Sequence, residues 1–543
     1  MLRDPSPRLS STGVLRLAFI AATLTGCSPP STLPRTTAGP DAGRPAADVA
    51  TGKQIYFRGS GHPSRQIMAQ LGQPPVTVPA GTLPCVNCHG RDGLGRPEGG
   101  LEPSDIRWRF LTTDEKTRGR SRAAYNEALF RRAVTMGLDP AGRALDPGMP
   151  RYQLTHEDLD SLVAYLKTME SDLDPGLTDT TIRLGLVLAP RSQAESLGEP
   201  VRKALMTFFD LVDERGGVYG RRVELSVVEA PEAPAERVAA LARFLDEARP
   251  FALVSPYMAE VEAQFAALAG ERSIPVVGPL TRSPAPGDPP ARLIFYLNGG
   301  LAGELRALAG FAGALGKGRK AATIYRAGPV ASLAVPVLRE ACDRTGLGRP
   351  EEAAAPETEA GWNRSIQELR SRGVSVVFAV GLRDETRSLL EAAEAAGWCP
   401  DVLTPASLAG RATIKSPPQF GGRVYLSLPT PPTLQEAAAR EYGELVQRGH
   451  LDRGHEAAQW AALGAAKLMV EGLNRSGRTL SRDRLIEVLE EVREFDTGYS
   501  PPVSFAPGRR IGADSPAIVA LELPAGRLVP VADPGRAGPG APR

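Results

Sequence analysis

At 543 residues the chain exceeds what one hydrophobic core organises, so two or three domains are expected. With 64 Lys and Arg against 62 Asp and Glu, the formal charge is +2, which excludes a nucleic-acid surface built on bulk electrostatics. Of five cysteines, Cys27, Cys85 and Cys88 sit in settings with assignable chemistry, which leaves Cys342 and Cys399.

Arginines at 3, 8 and 16 precede an apolar run over 17–24 that is too short to span a bilayer, so residues 1–26 read as a secretion signal. Its end, Leu24-Thr25-Gly26-Cys27, resembles the lipobox of bacterial lipoproteins. That resemblance implies a diacylated Cys27, a lipid anchor on a bacterial membrane and a periplasmic location. A plain secretory peptide with an unmodified Cys27 is the alternative. Residues 27–48 are rich in Pro, Ser, Thr, Ala and Gly and read as a flexible tether.

A short helix is expected from Val49, followed by a Gly/Pro-rich excursion over 59–84 in which His62 and Met68 read as loop residues. Then comes Cys85-Val86-Asn87-Cys88-His89. Two thiols three apart with a histidine directly after them are the pattern for covalent attachment of one c-type haem, with His89 as an axial ligand. No second Cys or His pair with zinc spacing occurs in the sequence. Tyr125, Leu129, Ala133 and Met136 share a face in a helix expected over 122–136, closed by Gly137. A Pro/Gly loop then delivers Met149, followed by a helix with Thr155 as N-cap and Asp158 in a capping-box position.

This order resembles the class I cytochrome c family over residues 49–170, including Met-Pro-Arg-Tyr at 149–152 and the closing Leu-Val-Ala-Tyr-Leu at 162–166. The resemblance implies an all-α cytochrome domain with His89 and Met149 as the two axial ligands of the iron. The insertion before the haem motif departs from the family. Met136 is the competing ligand, read instead as a core side chain of its helix.

Residues 171–180 read as a short polar linker. From 181 strands and helices alternate, which predicts parallel sheets. Gly216-Gly217-Val218-Tyr219-Gly220-Arg221-Arg222, Ile274-Pro275-Val276-Val277-Gly278-Pro279 and Phe495-Asp496-Thr497-Gly498 resemble phrases of type I periplasmic binding proteins of the branched-chain amino acid receptor group. This second resemblance covers 181–525 and implies an α/β fold of two doubly wound lobes with a small-molecule solute bound between them. Lobe one is expected over 181–300 and 430–495 and lobe two over 301–429 and 496–525, with a disordered tail from 526 to 543.

Cleft candidates are Ser196, Ser255, Tyr257, Met258, Thr281 and Arg282 in lobe one and Tyr325, Arg326 and Gly381 in lobe two. Amino acid receptors of this group hold the ligand ammonium with a lobe-two acid, whereas Pro405-Ala406-Ser407 offers no carboxylate here. A less polar, aromatic or carboxylate-bearing solute is expected instead. Cys342 and Cys399 are expected on opposite faces of a sheet, as two buried thiols rather than a disulfide. His450 and His455 read as surface or capping residues.

The expectation is a non-enzymatic, membrane-anchored electron carrier with a solute-binding domain, possessing no nucleic-acid partner. Its protein partners are a redox protein, such as a periplasmic dehydrogenase or oxidase, or an ABC permease. The alternatives are a transport receptor with an accessory haem and a docking subunit for a dehydrogenase.

Overall fold

The structure, a computed structural model, describes residues 47–61, 65–95, 97, 100–117, 120–191, 197–284, 290–316, 318–478, 480–513 and 516–531. Cys27, His62 and Ser196 lie outside the described residues. From Asp48 onward the chain forms one unit. No described helix is long and apolar enough to cross a membrane.

The first domain contains α1 (Val49–Arg58), β1 (Met68–Leu71), β2 (Val76–Pro79), α2 (Cys85–His89), α3 (Trp108–Leu111), β3 (Glu115–Thr117), β4 (Arg120–Arg122), α4 (Glu127–Met136), β5 (Arg151–Gln153) and α5 (His156–Thr168). The Asp48 carboxylate caps α1, and Thr155 with Asp158 forms the capping box of α5. A Cβ at Gly52 would lie 2.0 Å from the Ser161 carbonyl oxygen, so a glycine there lets α1 and α5 cross backbone to backbone. Ile55, Tyr56, Leu162, Tyr165 and Leu166 fill the seam.

The helical domain also carries a small antiparallel sheet in the order β2-β1-β5. It explains the excursion before the haem motif: Met68 pairs with Pro79 on one side and Gln153 on the other. The helix expected from 122 begins only at Glu127, because the β3–β4 hairpin occupies the preceding residues. Met136 is 65% exposed and so is not the core side chain expected; it is the last residue of α4, on the solvent side of a helix that buries Phe130, Ala133 and Val134.

The second domain alternates as expected. Its elements are β6 (Thr181–Leu188), α6 (Gly198–Glu214), β7 (Arg222–Glu229), α7 (Pro234–Ala248), β8 (Ala252–Val254), α8 (Glu262–Glu271), β9 (Val276–Val277), β10 (Ile294–Asn298), α9 (Gly300–Ala314), β11 (Lys320–Tyr325), α10 (Pro329–Thr345), β12 (Glu351–Ala354), α11 (Glu359–Ser371), β13 (Val374–Val380), α12 (Glu385–Ala395), β14 (Asp401–Pro405), β15 (Val424–Leu428), α13 (Glu436–Gly449), α14 (Glu456–Ser476), α15 (Arg482–Glu490), β16 (Ile511–Ala513), β17 (Ala517–Glu522) and β18 (Arg527–Pro530).

Two sheets result, one of order β16-β10-β9-β8-β6-β7 and one of order β12-β11-β13-β14-β15-β17-β18. The first is parallel throughout, whereas β17 and β18 close the second in antiparallel pairing. Each sheet is covered by helices on both faces, giving apolar strands such as β13, whose seven residues are all at least half-buried.

The chain passes from lobe one to lobe two between β10 and α9, returns between β15 and α13, and passes again between β16 and β17. The expected boundary at 495 therefore moves: β16 pairs with β10, and Tyr499, Val503 and Phe505 pack in the lobe-one core. The expected tail also begins too early, since β18 pairs with β17 as a sheet edge. Residues 532–543 lie outside the described residues.

Cys342 is buried against one face of the second sheet, while Trp398, next to Cys399, packs on the other. No disulfide joins them. Cys399 is exposed rather than buried, because Trp398 and Pro400 on either side take the inward positions.

Candidate haem site and interlobe cleft

Pro84 and Gly90 bound the single helical turn that carries both thiols and His89, and Gly90 adopts φ 72°, which only glycine takes readily. Spacing of three residues puts Cys85 and Cys88 on one side of that turn. Two buried tyrosines hold it: the Tyr56 hydroxyl donates to the Gly90 carbonyl at 2.6 Å and the Tyr152 hydroxyl to the Leu83 carbonyl at 2.5 Å.

His89 is buried, and its Nδ1 lies 2.9 Å from the Ser104 carbonyl oxygen. A carbonyl only accepts, so Nδ1 carries the proton and Nε2 keeps its lone pair. Burial lowers the imidazole pKa, which keeps the ring in its neutral, metal-binding form. Burial likewise raises the Cys85 thiol to about 12. Such a donor set, an oriented neutral imidazole beside two thiols on one helical turn, fits covalent haem with one axial ligand.

Met149 packs half-buried against the same core as Cys85 and Val86. Its loop is fixed by the Met149 amide donating to the Asp146 carbonyl at 3.0 Å and by Arg151 donating to the Leu145 carbonyl at 3.1 Å. No described group of three or more His, Cys, Asp or Glu residues has the arrangement of a separate metal site.

Between the two lobes of the second domain lies a cavity of about 280 Å³. Arg282 reaches it from lobe one, and Arg326, Gly381, Arg383 and Ser407 reach it from lobe two, where the start of α10 also forms part of the wall. The Arg326 guanidinium is held by Glu385 at 2.6 Å and by the Ala355 carbonyl at 3.2 Å. Beneath Ser407 lies Glu304, 3% exposed. Its carboxylate accepts from the Ser407 hydroxyl at 2.8 Å, the Ser427 hydroxyl at 3.2 Å and the amides of Ala406 and Ser407. Burial outweighs these donors and raises its pKa to about 7.

Residues 181–520 match the periplasmic binding protein family model, and residues 81–170 match the cytochrome c model. The chain belongs to the periplasmic binding protein family, with a cytochrome c domain ahead of its binding domain. The cytochrome c match implies covalently bound haem.

This periplasmic binding protein resembles a branched-chain amino acid ABC transporter structure from Thermus thermophilus with bound valine, at 17% identity and a TM-score of 0.53, covering 65% of this chain and 96% of that one. It also resembles a fatty acid ABC transporter substrate-binding protein from Thermomonospora curvata, at 17% identity and a TM-score of 0.51, covering 67% and 94%. An ABC transporter substrate-binding protein from Desulfitobacterium hafniense in complex with Leu gives 16% identity and a TM-score of 0.51, covering 65% and 100%. At such identities the likeness establishes the fold alone. No curated protein matches the chain.

Of the nine cleft candidates, Arg282, Arg326 and Gly381 line the cavity. Ser255, Tyr257 and Met258 do not: all three are buried, with Tyr257 and Met258 in the core around α7 and α8. The Arg237 guanidinium lies over the Tyr257 ring at 5.4 Å, and the Ser255 hydroxyl lies 3.5 Å from the Ala462 carbonyl. Thr281 donates to Glu262 at 2.7 Å, and Tyr325 packs against the lobe-two core. Both point to structural work rather than the cavity. Arg383 and Ser407 were not among the candidates. Arg383 stands two residues past Gly381 in a left-handed conformation, φ 51°, so it is brought to the wall by a turn with no sequence signature. Glu304 did carry one signal, a lone carboxylate inside the apolar run of α9.

Proposed function

We propose that this periplasmic binding protein is a lipid-anchored electron carrier of the extracytoplasmic space whose second domain binds a small solute. The observation that carries the redox half is the His89 imidazole, buried and oriented by the Ser104 carbonyl on the turn that bears Cys85 and Cys88. Cys85 and Cys88 would hold the haem covalently, with His89 and Met149 as axial ligands. One haem c bound there would supply single-electron transfer, and a thioether ligand from Met149 together with the His89 imidazole would raise its potential relative to two imidazoles. With His89 and Met149 both as ligands the iron would have no position left for substrate, and on that basis we read the protein as a carrier and not an enzyme. Tyr56 and Tyr152 keep the attachment turn rigid, which keeps reorganisation small between the two redox states. Cys27 would carry the acyl chains.

Mass spectrometry of protein recovered from bacterial membranes tests this reading. The expected result is a haem adduct on the peptide containing Cys85 and Cys88, acyl chains on Cys27 as the first residue, and reversible reduction without turnover of peroxide. A haem-free protein, or one that begins upstream of Cys27, contradicts it. Solute-dependent regulation is tested by potentiometry with and without bound solute; an unchanged potential and unchanged reduction rate by the partner contradict that part. A second reading, a receptor that delivers its solute to an ABC permease, draws on the family match and the two-lobed fold. Loss of solute uptake on deleting the gene, with electron transfer unaffected, favours it.

A further inference from the structure

The lining of the interlobe cavity contains three guanidinium groups and no carboxylate. Each acid nearby is engaged elsewhere. Glu385 is bound to Arg326, Glu262 accepts from Thr281, and Asp384 accepts from the Ala412 amide. Glu260 lies 3.2 Å from Arg237 and 3.7 Å from Arg282, one carboxylate between two cations. Arg383 is exposed on the wall and has no ion pair among the described residues.

The start of α10 adds to this. Gly328 is its N-cap and offers no side chain to satisfy the first turn, and Pro329 occupies the first helical position. The 17-residue helix thus presents its positive end and its unsatisfied first-turn amides to the same space as Arg326 and Arg383. Val330, Leu408 and Ala409 supply an apolar wall beside these charges.

An ammonium group finds nothing complementary here. Glu304, hydrogen-bonded to the lining residue Ser407, is 3% exposed and already takes bonds from two hydroxyls and two amides. With Glu385 taken up by Arg326 and Glu260 shared between Arg237 and Arg282, a charged amine here faces Arg383, which has no ion pair among the described residues, and no free carboxylate offsets that repulsion. The volume of about 280 Å³ lies just below the ~300 to 1,000 Å³ of typical ligand pockets, which suits a small solute.

We propose that the interlobe cleft takes a small carboxylate with an apolar body and no charged amino group, gripped between Arg282 of lobe one and Arg326 and Arg383 of lobe two. This rests on the solute-binding reading given above and names the class of solute. A carboxylate bridging arginines from both lobes favours the arrangement in which they face one another, since neither lobe alone supplies the full set.

The test uses the full-length, haem-loaded protein, titrated calorimetrically with acetate, propionate, benzoate and succinate and, as a zwitterion of similar size, with leucine. At least one carboxylate is expected to bind, and leucine at the same concentrations is not. R383A is expected to weaken that carboxylate tenfold or more, R383K to recover part of the loss, and R282A to weaken it from the other lobe. The haem spectrum and far-UV circular dichroism of each variant report its folding. Binding of leucine but no carboxylate, or a carboxylate affinity untouched by R383A and R282A, overturns the proposal. Native mass spectrometry of freshly isolated protein separates the two levels of failure. A retained neutral or zwitterionic solute overturns the anion assignment and leaves solute binding intact, whereas an empty cleft that binds none of the five probes overturns both.

Discussion

Arg91, two residues beyond the haem-motif histidine, lies 3.7 Å from Asp174 in the segment between the domains, and the same carboxylate accepts the Arg482 amide at 2.6 Å. The segment expected to be a polar linker is therefore a joint. Asp172, two residues earlier, is held by Lys53 at 2.6 Å and by the Tyr165 hydroxyl at 3.2 Å. Beyond Asp174 the Arg482 guanidinium is buried in lobe one, donating to the carbonyls of Pro250 at 2.7 Å, Phe251 at 2.9 Å and Arg272 at 3.0 Å. The end of the haem motif is thus connected by polar contacts to lobe one.

The Asp174 side chain is 9% exposed, so D174A leaves the Arg482 amide without its acceptor, a loss of ~1–3 kcal/mol. Limited proteolysis should then cut within 171–180 several times faster than in the wild type, and R91A should show a smaller increase because Arg91 is more exposed. Equal cleavage rates in all three proteins contradict a rigid joint.

G52A forces a methyl group onto the Ser161 carbonyl and must separate α1 from α5. The expected cost is ~1–3 kcal/mol, typical of an overpacked seam. It is read as a lower midpoint for loss of the haem-linked spectrum on heating, with the binding domain's own transition unchanged.

Glu304 makes stability depend on pH. Its pKa rises from 4.5 in the free side chain to about 7 in the fold, so the folded protein holds this proton more tightly than the unfolded chain. The corresponding stability is fully present below about 4.5 and is lost as pH rises through about 7, a change on the order of a few kcal/mol. E304Q, which keeps the shape and cannot ionise, should flatten the fall in the binding domain's melting midpoint between pH 5 and pH 8. Parallel pH profiles for wild type and E304Q contradict this.

What could be read from the sequence was local. The haem motif occupies five consecutive residues, Thr155 and Asp158 cap α5 across one turn, and the βα alternation repeats within each segment of the second domain. What could not be read depends on distant partners. The excursion before the haem motif becomes a sheet because β5, some eighty residues later, pairs with β1. Tyr257 and Met258 follow a strand end, as cleft residues do, yet the pairing of Tyr257 with Leu280 turns them into the core. The Ala406-Ser407 turn is fixed from below by the Glu304 carboxylate, a hundred residues earlier and after the first crossing between lobes, which is buried and does not line the cavity.

The proposed electron transfer rests most directly on axial ligation of a haem by His89 and Met149. Near-infrared magnetic circular dichroism of the oxidised full-length protein, compared with M149A and M136A, reads the sulfur ligand. The expected result is a thioether signature in the wild type and in M136A that vanishes in M149A, together with a lower potential and rapid cyanide binding in that variant. A signature that survives M149A, or disappears in M136A, contradicts it.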